Sequence, residues 1–180
     1  MKNLLLLPLM AAASLFAKDD FVSLFDGKTL KNWDGDPKFW SVKDGAITGI
    51  TTKETPTKGN TFAIYTGGEK LTDFDLRIDF KIMAGNSGIQ YRSFKKAGKH
   101  DGWRIGGYQA DFESGDRYSG ICYGEAFRGI LSLRGQKTTL SLNDKGKLQK
   151  KAETFGDTNE IGKAVKKKEW NSYRIVADGF

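Results

Sequence analysis

Residues 73–82 read Asp-Phe-Asp-Leu-Arg-Ile-Asp-Phe-Lys-Ile. Phe74, Leu76, Ile78, Phe80 and Ile82 alternate with charged residues, the period-two signature of a strand with one buried face. Working outward, Gly85-Asn86-Ser87-Gly88 is a turn signal, and Ile89 to Ser93 resumes an extended pattern. Trp103 to Phe112 reads as a further strand, interrupted at Gly106-Gly107. Leu140 and Leu142 mark a short strand before the turn Asn143-Asp144-Lys145-Gly146. Trp170, Tyr173, Ile175 and Ala177 close the pattern. No segment past the N-terminus sustains helical periodicity over several turns. Short strands divided by Gly, Asp and Asn turns predict an all-β sandwich.

The N-terminus has a different character. Lys2 precedes the apolar run Leu4 to Ala13, small residues lead to Ala17, and the chain turns polar at Lys18-Asp19-Asp20. This predicts a signal peptide over residues 1–17, a mature domain over 18–180, and a periplasmic or extracellular location with no membrane span. At the other end, the strand pattern of residues 170–178 runs into Asp178-Gly179 without a hairpin partner. Either the domain lacks its last strands or this strand simply lies at the C-terminal edge.

The chain has 180 residues, 29 Lys and Arg against 22 Asp and Glu, and a formal charge of +7. Lysines crowd residues 145–168, but acids are interleaved and Phe155 is the one aromatic among them, so a solvated loop is expected there, with no base-stacking groove and no nucleic-acid partner. Cys122 and His100 are single. A disulfide framework, multi-cysteine zinc sites and paired-histidine metal sites are thereby excluded. Cys122 reads as a small buried apolar residue and His100 as a solvated loop residue. A cofactor metal would need oxygen ligands, calcium or manganese in preference to zinc, and its ligands are unassigned. No protein partner is indicated.

On a strand through residues 107–113, Gln109, Asp111 and Glu113 share one face, with neighbours about 6–7 Å apart. Arg92 ends the preceding strand, and Arg104 begins this one. Such mixed carboxylate, amide and arginine faces suit sugar binding; a plain solvated face is the competing reading. A retaining glycosidase needs two carboxylates about the bond. Gln109 stands where the first would be in one sandwich family of glucanases, and an amide cannot serve as a nucleophile. A second cluster runs from Tyr118 to Glu125 and on through Arg128, Ile130 and Arg134. Glu125 there is either an acid or base, or a partner of Arg128 in a glycine-rich loop. Asn86 and Ser87 either form the turn or hold a ligand. Trp33, Trp40 and Trp103 are candidates for stacking on sugar rings.

Several motifs in order resemble the 3-keto-disaccharide hydrolase family. They are Leu24-Phe25-Asp26-Gly27-Lys28-Thr29-Leu30 with Trp33, Trp40 to Ile47, Asp73 to Arg77 with Gly85 to Arg92, Gly107 to Asp111, and Trp170 to Ile175. Gln109 departs from the glutamate that many members carry. The resemblance implies a concanavalin A-like jelly-roll sandwich and cleavage of glycosides already oxidised at C3. The C3 ketone acidifies the C2 proton, so a base removes it, the C1 substituent leaves, and water adds. On that reading the catalytic candidates are Asp111 or Glu113 as base, Arg92 with Arg104 or a metal on the enolate oxygen, and Glu125 or Tyr108 as acid. Tyr108, Gln109, Arg104, Asn86, Ser87 and Trp103 are the substrate-binding candidates, with an oligosaccharide or glycoside as ligand. The alternative is a non-catalytic, lectin-like carbohydrate-binding module on the same sandwich.

Overall fold

The computed structural model describes residues 21–96 and 102–179. The expected signal peptide and His100 lie outside them. The described chain is almost wholly β. Two small antiparallel ribbons come first: β1 (Trp33–Asp34) with β4 (Ile64–Tyr65), and β2 (Trp40–Lys43) with β3 (Ala46–Gly49). Strand β5 (Phe74–Phe80) pairs with β12 (Asn171–Ala177), from Phe80 opposite Asn171 to Phe74 opposite Ala177. A four-stranded antiparallel meander contains β6 (Asn86–Lys95), β7 (Ile105–Glu113), β8 (Cys122–Glu125) and β9 (Gly129–Ser132). Strands β10 (Gln136–Leu142) and β11 (Leu148–Thr154) form a hairpin, and α1 (Thr158–Gly162) precedes β12.

The β5–β12 sheet lies over the meander as the second layer of a sandwich. Phe80 of β5 stacks on Phe112 of β7 at 4.2 Å between centroids, and Tyr173 of β12 meets Phe80 at 4.5 Å and Phe112 at 6.3 Å. Phe80, Phe112, Ile175 and Ala177 are buried there. The alternation of residues 74–80 and 173–177 thus does what the pattern requires: one face enters the core and the other carries ion pairs such as Arg174 with Asp75 at 2.8 Å.

The expected segmentation differs from the observed one in three places. Gly106-Gly107 does not interrupt β7. A Cβ at Gly106 would run into the Phe94 ring and approach the Glu125 carbonyl oxygen to 3.0 Å, so glycine lets the strand continue past close neighbours. Asn86 and Ser87 open β6 and are not turn residues. The lysine-rich stretch after the Asn143 turn contains β11, every residue of which is exposed. It forms because the Asn143 side chain accepts from Lys145 and Lys147 N–H and Gly146 adopts φ 69°, which returns the chain along β10. Burial plays no part in that strand, so hydrophobic alternation gives no sign of it.

Buried Arg134 and half-buried Tyr173 hold these segments in place. Arg134 donates to three main-chain carbonyls, those of Asp116 and Ser119 at 2.7 Å and Thr158 at 3.1 Å, which ties the β7–β8 turn to the start of α1. The Tyr173 hydroxyl donates to the Asp111 carbonyl at 2.6 Å and accepts from Gly120 N–H at 2.8 Å. Burial pushes that phenol up to about 12. Replacing Tyr173 by Phe keeps the ring packing and removes both bonds. Urea denaturation is expected to show a loss of about 1–2 kcal/mol; an unchanged midpoint would mean the hydroxyl holds nothing.

Candidate functional site

The pleat of β7 puts Gln109, Asp111 and Glu113 on the face opposite the core, as the alternation predicts. Register supplies their neighbours. Gly88 lies opposite Asp111 and Asn86 opposite Glu113 on β6, while Tyr123 lies opposite Gln109 and Glu125 opposite Gly107 on β8. Asn86, Gln109, Asp111 and Glu125 line one cavity of about 280 Å³, with Asn60 joining them from the loop before β4. That volume is at the small end for ligand pockets, which run from about 300 Å³ upward.

Asp111 is 5% exposed and Glu125 is 5% exposed, so two carboxylates are buried beside one cavity. Gln109 Nε2 donates to Asp111 Oδ1, and the Asn86 side chain bonds the same carboxylate. Burial drives the Asp111 pKa above the ordinary carboxylate range. The Gln109 and Asn86 bonds oppose that shift, and the charges of Glu113 and Glu125 add to it. The Gln109 side chain lies across β6 at Gly88, where a Cβ would stand 2.5 Å from its Cγ and 2.7 Å from its Cδ. The absence of a side chain at Gly88 is therefore what lets Gln109 reach Asp111. Glu125 takes Arg104 as its partner at 3.5 Å, while Arg128 donates to the Tyr108 hydroxyl at 3.1 Å.

Other expected site residues go elsewhere. Glu113 Oε1 accepts from the N–H groups of Arg117 at 2.5 Å and Tyr118 at 2.8 Å, so its carboxylate closes the β7–β8 turn. Arg92 sits at a β-bulge with φ 48°, and its guanidinium reaches the Thr72 carbonyl at 3.1 Å and Asp73 at 3.3 Å. Tyr108 stacks on Tyr91 at 5.8 Å on the core side of the meander. Ser87, one residue along from Asn86, falls on that side too. Trp103 Nε1 donates to Asp34 at 2.7 Å, which ties the start of β7 to β1 and leaves the indole outside the cavity lining.

Asn60 carried no signal in the sequence, because only the fold returns its loop to the meander. Gln90 was also missed. It lies opposite Gln109, and its amide is buried without a hydrogen-bond partner among the described residues. The cavity's donor set is two carboxylates and three amides. No group of three or more His, Cys, Asp or Glu side chains among the described residues is arranged to hold a metal ion.

A family model described as a 3-keto-alpha-glucoside-1,2-lyase-like domain matches residues 20–179. No curated protein and no solved structure gives a significant match.

The Gly88 contact has a measurable consequence. Gly88→Ala displaces Gln109 and removes a donor from the charged form of Asp111. Carboxyl-carbon NMR titration is expected to place Asp111 higher in the variant than in the parent chain. The same titration midpoint in both would separate Gln109 from the control of Asp111.

Proposed function

Because the chain belongs to the 3-keto-alpha-glucoside-1,2-lyase-like domain family, we propose that it cleaves 3-keto-glycosides by abstraction of the C2 proton and elimination at C1. The observation that carries this reading is the buried Asp111 carboxylate, held by Gln109 and Asn86 in a cavity that contains a second carboxylate, Glu125.

The chemistry asks for a base more than for a nucleophile. With a ketone at C3, the C2–H bond is the acidic one. Asp111 takes that proton, and the bonding pair moves into an enolate across C2 and C3. The enolate then expels the C1 oxygen, leaving a C1=C2 double bond conjugated with the ketone. In this scheme Glu125 enters the step protonated and gives its proton to the departing oxygen, and Arg104 beside it pairs with the carboxylate that is left. Water added across C1 and C2 completes hydrolysis; release of the enone completes a lyase reaction. A raised carboxylate pKa suits a base, since it strengthens the proton acceptor while leaving it ionised at higher pH. Neither step requires a nucleophilic carboxylate at position 109. Glu113 and Arg92 have no part in this scheme, because both are committed to main-chain groups or to Asp73. The apolar N-terminal segment supports export, so the substrate would be met outside the cytoplasm.

The test is cleavage of a 3-keto-glucoside, with and without EDTA, by the parent chain and by Asp111→Asn. Loss of the base is expected to lower turnover by about 10²–10⁴-fold. In the parent chain, kcat/KM is expected to fall as pH drops through the Asp111 pKa, with its acid limb above the ordinary value for an aspartate. Stability should run the other way. A carboxyl whose pKa is raised by folding costs stability as pH rises from its unfolded to its folded pKa, so Asp111→Asn should melt no lower than the parent at neutral pH. Equal turnover by the two proteins would remove Asp111 from the reaction. Binding of unmodified oligosaccharide without turnover of any keto-glycoside would identify a lectin-like module.

A further inference from the structure

The cavity is chemically lopsided. Over β6 and β7 it presents amides and a carboxylate: Asn86, Gln109 and Asp111. Over β8 and β9, the next strands along at about 4.8 Å each, it presents Tyr123 and Ile130, with Ile121 and Tyr118 just before β8 and Glu125 at its far end as the one carboxylate on that side. Ile130 stands opposite Tyr123 in the register, so these side chains form one continuous patch. Ile121 is 3% exposed and offers a ligand only hydrocarbon.

The geometry points to a substrate whose leaving group is an apolar alkyl or arylalkyl aglycone, in place of a second sugar. This rests on the cleavage reading above and deepens it. The keto-sugar ring has hydroxyls on most of its carbons and needs the amides, which places it over β6 and β7 with C2 at Asp111. The C1 substituent then projects toward β8 and onto the isoleucine and tyrosine patch, since Tyr123 stands opposite Gln109 and Ile130 opposite Tyr123, with Glu125 two residues along β8 from Tyr123. A sugar there would lose water from its hydroxyls against Ile121 and Ile130 without gaining partners, which is unfavourable. An apolar group would gain from the same burial. Tyrosine rings alone would accept either ligand, since a sugar also stacks on an aromatic face. The two isoleucines decide between them.

Leaving-group chemistry must be separated from recognition, because a phenol departs more readily than an alcohol whatever the pocket. A benzyl aglycone avoids this, since benzyl alcohol and a sugar hydroxyl are both alcohols. Full-length Asp111→Asn, which retains the cavity, is titrated calorimetrically with benzyl 3-keto-glucoside and with a 3-keto-disaccharide. The parent chain is assayed for kcat/KM on both. The benzyl compound is expected to bind about tenfold or more tightly, as burial of part of an aromatic ring allows. Its advantage in kcat/KM should follow, and Ile130→Asn should reduce that advantage several-fold. Equal binding, or tighter binding of the disaccharide, overturns the aglycone assignment while cleavage of both leaves the proposed reaction standing. If neither compound binds and neither is cleaved, both readings fall together.

Discussion

The Tyr173 hydroxyl is the bond on which the arrangement turns. Its ring belongs to the core, packed on Phe80 and Phe112, while its oxygen reaches through to the main chain of Asp111 and Gly120. One residue thus joins the β5–β12 layer to the strand that carries the buried carboxylate. Asp111 faces two ways: its carbonyl is fixed from the core side and its side chain is fixed from the cavity side. Gly120 N–H also bonds the Asp111 carbonyl, at 2.9 Å, so the β7–β8 turn closes on the same point. Arg134 then secures that turn from behind through three carbonyls. The backbone of the site is therefore held by several independent hydrogen bonds, as positioning a reactive group requires.

That rigidity is needed because the carboxylate is held where its charge is costly. Burial and the neighbouring Glu113 and Glu125 disfavour the ionised form of Asp111, and the Gln109 and Asn86 bonds recover part of that cost. A glutamate at 109 would add a further negative charge beside Asp111. The amide supplies a donor instead, and Gly88 supplies the room for it. The two departures from ordinary strand composition at this place, a glycine within β6 and a buried amide within β7, have one explanation.

Much of this was legible in the sequence. Alternation located β5, β7 and β12 and put Gln109 and Asp111 on a shared face, because strand period alone decides sidedness. The same rule put Glu113 beside them, but its carboxylate is engaged by the Arg117 and Tyr118 N–H groups, which the turn brings round and no alternation encodes. Arg92 lies away from the cavity lining for a related reason. A bulge breaks the register between Tyr91 and Phe94, and Arg92 sits inside it, which strand alternation does not reveal. Asn60 was invisible because its loop reaches the cavity only through tertiary folding, and β11 because pairing with β10, without burial, holds it extended.

An elimination differs from a direct hydrolysis in one bond, and that bond can be labelled. A 3-keto-glucoside carrying deuterium at C2 would be cleaved by the chain, and the early sugar product weighed by mass spectrometry against uncleaved substrate held in the same buffer. If Asp111 removes the C2 hydrogen before the C1 oxygen leaves, the product has lost its deuterium while the control substrate keeps it. A product that still carries the deuterium would contradict the account, because the glycosidic bond would then have broken without the step that the buried carboxylate is built to perform.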